Sequence, residues 1–309
     1  MKPRFLPELV GRTEAFFLRL FLCAAVIWSI WDPSRYDRVE DAAGIARWGV
    51  NVAWIGREGM HPWVLGLAAL SGVLYLAGVW VWRPILTLAG VGGLAWLHLT
   101  YWTLANSQGN TFHGSNMTTL VLLLQVAACV ITLVRQARGM PNTARWTNLD
   151  GMLLYFSQCA IAAVYVASAI TKLSKSQGRW LLESHLFARS IQKVWRQRYF
   201  SNPSLNADQA PVAPWASWLA EHPGLARALF APGLVFELGG FLLLCSRGWA
   251  RWFGLALIGM HLSISEIMGL HFPEFEVLLA IFCVNLPFLI ARSLKRNSLA
   301  APAGSTLTT

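Results

Sequence analysis

The residues best suited to chemistry are ionisable side chains set inside, or at the ends of, strongly apolar stretches. They are His98, His113, Lys172, Glu237, His261, Glu266 and His271. An ionisable group at hydrocarbon depth costs at least about 2–3 kcal/mol, so it normally pairs with another group or lines a wet cavity. Lys172 ends an apolar run and reads either as a snorkelling terminal lysine or as a general base. Desolvation favours the neutral form of an amine, and a neutral amine accepts a proton. Tyr165, Ser168 and Lys172 follow at i, i+3 and i+7, so a helix sets all three on one face and gives the amine polar company. His261 reads equally as a core histidine bridging two helices. Glu237 reads first as a packing anchor or as the partner of a histidine. His98, beside Tyr101 and Trp102, can be an interface residue, and His271 has the same alternative.

Several chemistries are excluded by pattern. There are no clustered histidine boxes for a di-iron site, no H-E-x-x-H for an intramembrane zinc protease, no phosphate-binding loop and no dinucleotide fingerprint. No metal site is expected. The cysteines Cys23, Cys129, Cys159, Cys245 and Cys283 each lie inside an apolar block without C-x-x-C spacing, and so read as small buried hydrophobes. The net charge of +10 does not point to nucleic acid, because the basic residues sit in loops beside apolar blocks rather than in a stripe with interleaved aromatics.

The elements that must position these residues are transmembrane helices. Of the 309 residues, 55% are hydrophobic and 13% charged, where a soluble domain carries about 25% charged residues to keep its surface wetted. The apolar residues fall into blocks of about 17–22, enough to cross a hydrocarbon core of roughly 30 Å. Sixteen tryptophans fit the headgroup interface. The expectation is an all-α, polytopic transmembrane bundle of about eight helices: 16–31, 63–82, 84–104, 117–134, 151–171, 228–245, 253–268 and 275–291. Trp28 and Trp31 replace a small-residue cleavage site, so the first block reads as an uncleaved helix rather than a signal peptide. Arg19 near its start is expected to snorkel. Little more than Arg83 and Pro84 separates the second and third blocks, which forces an antiparallel hairpin.

Ile45, Trp48, Val52 and Ile55 recur at helical spacing in the polar stretch after the first helix, consistent with a short amphipathic segment. The loop 172–226 is too polar to span and carries Trp180, Phe187, Trp195, Phe200, Trp215 and Trp218 among basic residues, as interfacial, partly helical segments do. No internal repeat or second domain is evident: residues 1–297 read as one transmembrane domain and 298–309 as a disordered Ala/Ser/Thr-rich tail. Lys and Arg counts in the short loops put both termini in the cytoplasm, with the chain in the inner (plasma) membrane. The basic long loop then lies outside, where loop length outweighs charge.

Four stretches resemble one family. Val164–Leu173 (VYVASAITKL), with Trp180 beyond it, is similar to the lysine-bearing segment of the vitamin K-dependent gamma-carboxylases. So is Phe236–Phe241 (FELGGF), followed by His261–Pro273 (HLSISEIMGLHFP), and His113 resembles the other histidine of the catalytic region. In this order they match the horizontally transferred transmembrane (HTTM) domain that the carboxylase shares with shorter bacterial proteins. The resemblance covers most of the chain. It implies chemistry on the extracytoplasmic side with a reduced quinone of the vitamin K hydroquinone type, Lys172 being the base and His113 its hydrogen-bonding partner. His261, Glu237, Glu266, His98 and Tyr165 would line the quinone pocket.

Thr171 stands where the carboxylase has a second lysine, and the gap from Leu173 to Trp180 is longer. Only a short tail follows the eighth helix, so a peptide substrate is expected to bind the outer loop or a separate protein. The expected partners are membrane lipid, quinone, and a secreted peptide or substrate protein. The alternative is a non-enzymatic membrane accessory for maturation of, or immunity to, a secreted peptide, in which the same polar residues hold helices together.

Overall fold

The computed structural model describes residues 7–31, 54–55, 59–81, 83–106, 113–139, 148–200 and 213–300. Among them the chain is all-helical. Five helices come first: α1 (Arg12–Ser29), α2 (His61–Ala77), α3 (Arg83–Asn106), α4 (His113–Ala137) and α5 (Leu149–Lys175). They are followed by α6 (Phe187–Phe200), α7 (Pro214–Glu221) and α8 (Pro223–Leu238), the last prolonged by a 3₁₀ stretch, Gly239–Leu244. The chain then forms α9 (Arg247–Met268), α10 (Pro273–Leu278) with a π-turn at Leu279–Val284, and α11 (Leu286–Ala300).

Each of the eight apolar blocks is thus helical. Four spans are long and apolar enough to cross a membrane: Arg83–Asn106, Ser115–Ala137, Leu149–Lys175 and Pro223–Leu244. A fifth is added if the broken pair formed by α10 with its π-turn and by α11 is one span. The shorter apolar helix α2 also exposes Trp63, Leu67, Leu70 and Val73, a continuous apolar stripe that water would not tolerate and lipid would. The amphipathic segment of Ile45, Trp48 and Val52 falls outside the described residues, as does the tail from 301 onward.

The chain divides into two compact units. The split unit comprises residues 7–157 and 284–300; the inserted unit comprises 158–283. Helix α5 contributes its first turns to the former and the rest to the latter.

In the split unit α2 and α3 form the expected antiparallel hairpin. Gly93 lies against Ser71, Gly90 against Tyr75 and Gly78 against Thr87, positions that fall on α2 as they rise on α3. A Cβ at Gly90 would enter the backbone of Tyr75, so only glycine allows the approach. Arg19 does not snorkel. It is buried, donating to the Tyr75 carbonyl (2.6 Å), Thr87 Oγ1 (2.9 Å) and Asp150 Oδ1 (2.5 Å), and Arg83 pairs with the other Asp150 oxygen. The physical reason is satisfaction at both ends. Asp150 sits in the first turn of α5, where the helix dipole already favours a carboxylate, and two further acceptors, the Tyr75 carbonyl and Thr87 Oγ1, meet the guanidinium.

The eighth apolar block is not one continuous helix. It breaks at Asn285, whose φ of 58° is left-handed. Asn285 is the cap of α11: its Oδ1 accepts the Phe288 N–H (3.1 Å), and Pro287 falls in the first turn, where no N–H is required. Its Nδ2 donates to Glu14 Oε1 at 2.9 Å, joining the last described helix to the first.

Candidate functional site

In the inserted unit the C-terminal half of α5 presents Tyr165, Ser168 and Lys172 along one face, as their spacing requires. Each finds a partner. Lys172 Nζ donates to both carboxylate oxygens of Glu237, at 2.5 and 2.6 Å, and Ser168 Oγ lies 3.4 Å from Glu237 Oε1. The partner of Glu237 is therefore the lysine, not a histidine. Lys172 Nζ also lies 5.1 Å from the centre of the Trp180 ring, which the turn after α5 brings back over the amine.

The glycines of Phe236–Phe241 account for this register. At Gly240 an added Cβ would meet Tyr165 Cβ at 3.2 Å and the Ala162 carbonyl at 3.3 Å. The absence of side chains there lets the end of α8 approach α5 closely enough for Glu237, one turn earlier, to reach Lys172. Glu237 is buried and Lys172 only half-buried. The carboxylate thus stays out of water only because the lysine neutralises it.

Two turns back along α5 lies a second polar pair. Tyr165 OH and His261 Nε2 are 2.7 Å apart, both side chains buried. His261 comes from the middle of α9 and is walled by Phe272 and Phe275, with ring centroids at 5.2 and 5.4 Å. Its other nitrogen, Nδ1, is buried without a hydrogen-bond partner. A buried polar nitrogen left unpaired costs about 1–3 kcal/mol, so it marks a position for a polar atom from outside the chain. An unpaired imidazole nitrogen beside two phenyl rings has the chemistry to hold an aromatic group that carries a hydroxyl or carbonyl oxygen.

Glu266 is exposed near the end of α9 and takes no part in this cluster, while His271 is exposed and bonds Ser265 Oγ through Nδ1 at 2.5 Å. His98 and His113 belong to the split unit. His98 is fully buried on α3, bonded through Nδ1 to Thr119 Oγ1 of α4 at 2.9 Å, with Nε2 unpaired. His113 opens α4, and its side chain lies outside the described residues. Of the seven predicted site residues, the structure therefore brings four together as two linked pairs: Lys172 with Glu237, and Tyr165 with His261.

Sequence reasoning missed Phe272 and Phe275, the walls of the histidine. The signal was the aromatic pair flanking Pro273, close after His261 in the chain. It also missed Gln125, which accepts from Tyr75 OH (2.5 Å) and donates to Ser157 Oγ (2.8 Å) in the split unit. Among the described residues no group of three or more His, Cys, Asp or Glu could hold a metal. No family model, curated protein or solved structure matches this chain.

Proposed function

We propose that this is an inner-membrane protein of about eight spans, both termini cytoplasmic, which carries a quinol-linked active site of the gamma-carboxylase kind at its extracytoplasmic face. The observation that supports it best is the Lys172–Glu237 pair, two turns along α5 from a buried Tyr165–His261 pair whose Nδ1 lacks a partner. A reduced quinone bound there supplies an ionisable phenol and two electrons for oxygen.

The chain's own residues have separable tasks. His261 accepts from Tyr165 OH through Nε2, which fixes the tautomer with a proton on Nδ1; that N–H then orients a phenolic or carbonyl oxygen. Phe272 and Phe275 exclude water and hold the ring plane. Glu237 is more than a packing anchor in this reading: its two oxygens hold the Lys172 amine in place at the end of α5. Lys172 is the base and Glu237 positions it. The role that the resemblance gives to His113 enters the proposal unchanged.

A second reading keeps a specific support. Both oxygens of Glu237 are occupied by Lys172, as in a tie that merely fastens α8 to α5, and a non-enzymatic membrane accessory would need no more. Lys172→Arg separates the two. Arginine preserves a two-pronged ion pair but cannot give up its proton. Purified protein supplied with reduced naphthoquinone should consume oxygen, and Lys172→Arg should abolish this at unchanged membrane levels, while His113→Ala should lower it by about 10²–10⁴-fold. Wild-type turnover by Lys172→Arg would overturn the base assignment. No turnover by the wild type with any quinol would leave the accessory reading.

A further inference from the structure

A concave surface of the inserted unit lies between α6 and α7, an open groove of about 880 Å³ lined by Arg189, Lys193, Arg196, Phe200, Ala216 and Ser217 among others. The three cations recur at i, i+4 and i+7, so α6 turns them to one face. A different stripe of the helix fastens it in place. Ala188 and Ile191 are buried with Ala213, Ala216 and Leu219, and Gln192 Oε1 accepts the Ala213 N–H at 2.8 Å. The groove is therefore built into the fold rather than formed by side chains free to scatter.

Its electrostatics are one-sided. No carboxylate lines it, and none of the three cations forms an ion pair among the described residues. Like charges held within two turns of one helix repel, and an anion relieves that repulsion. Phe200, which lines the groove, is 49% exposed, and Trp215, next to the lining residue Ala216 in the chain, is 50% exposed. Cations interleaved with exposed aromatic rings on a short amphipathic helix suit the headgroup layer of a bilayer. An acidic peptide would satisfy the charges but leave those rings in water; a lipid satisfies both.

We propose that the α6–α7 groove binds an anionic phospholipid. Its phosphate sits on Arg189, Lys193 and Arg196, and Phe200 and Trp215 lie at the boundary between headgroup and acyl chain. This inference rests on the membrane spans and is independent of the quinol chemistry.

The test uses the full chain bearing Ser217→Cys labelled with a bimane fluorophore, in bilayer discs. The parent chain, with Cys159 half-buried and its other thiols buried, sets the labelling background. Brominated phosphatidylglycerol diluted in phosphatidylcholine should quench the label roughly twofold or more beyond brominated phosphatidylcholine at the same fraction. The difference should vanish when Arg189, Lys193 and Arg196 are all changed to Gln. Should that variant fold poorly by thermal unfolding, about 0.5 M salt applied to the labelled chain should shrink the difference instead, since exposed charges are screened. Equal quenching by the two lipids overturns the proposal, as does selectivity that survives both neutralisation and salt. A groove indifferent to lipid charge that binds an oligoglutamate peptide belongs to a protein partner, and overturns it too.

Discussion

Glu237 gives both of its carboxylate oxygens to Lys172 Nζ, and the acid is the more deeply buried member, 7% exposed against 32%. That asymmetry predicts an asymmetric response. Lys172→Met strands a buried carboxylate and should destabilise by about 1–3 kcal/mol. Glu237→Gln leaves a lysine that can turn to solvent and an amide that still accepts from it, and should cost about 1 kcal/mol or less. Thermal unfolding of the detergent-solubilised variants decides the order, and the reverse order would mean that the pair is not buried as described.

Tyr165 and His261 should be energetically coupled. Tyr165→Phe keeps the ring and removes the hydroxyl, leaving His261 with neither nitrogen paired, at a cost of about 1 kcal/mol. In a double-mutant cycle with His261→Leu, the second change should cost less once the first is made, with a coupling of roughly 0.5–1.5 kcal/mol. Strict additivity of the two unfolding shifts would contradict the hydrogen bond.

The charge cluster of the split unit should rank its members by what each leaves behind. Asp150→Ala strands buried Arg19 and should be the most damaging, by about 3–5 kcal/mol. Arg19→Ala leaves Asp150 with Arg83 and opens a cavity, and should come second. Arg83→Ala, at a partly exposed position, should cost about 1 kcal/mol. Expression in membranes and unfolding midpoints test the ranking; a mild Asp150→Ala would show that water reaches the site.

The proposed orientation makes its own prediction. Arg83, Arg135, Arg138, Arg247 and Arg251 lie at or near helix ends that the proposed orientation sets on one side, which favours retention of that side in the cytoplasm. Alkaline phosphatase fused at Thr309 should be inactive and a cytoplasm-active reporter there active. The opposite pattern would move the Lys172 face to the cytoplasmic side.

Much of the fold was legible because a membrane span is a local signal. Apolar runs of sufficient length became helices α1 to α5, α8 and α9, with ends shifted by a few residues. The shared face of Tyr165, Ser168 and Lys172 was legible for the same reason, since helical spacing alone fixes it. What could not be read were pairings between distant residues. Arg19 looked like a snorkelling arginine because nothing near it in sequence marks Asp150, 131 positions later, as its partner. Glu237 found Lys172 rather than a histidine because Gly240 sets the register of α8 against α5, a fact of three-dimensional approach. The break at Asn285 left only a faint mark, an Asn two residues before a Pro.

The hydrogen bond from Asn285 to Glu14 spans 271 positions and has a consequence for biosynthesis. The split unit takes its first helix from the beginning of the described chain and α11 from its end, so the ribosome delivers its closing piece last. The inserted unit is one uninterrupted stretch and can mature while synthesis continues. Until Asn285 emerges, Glu14 lacks this amide and α1 lacks its tie to α11. A nascent chain arrested before residue 285 should therefore hold α1 less firmly than the finished protein does.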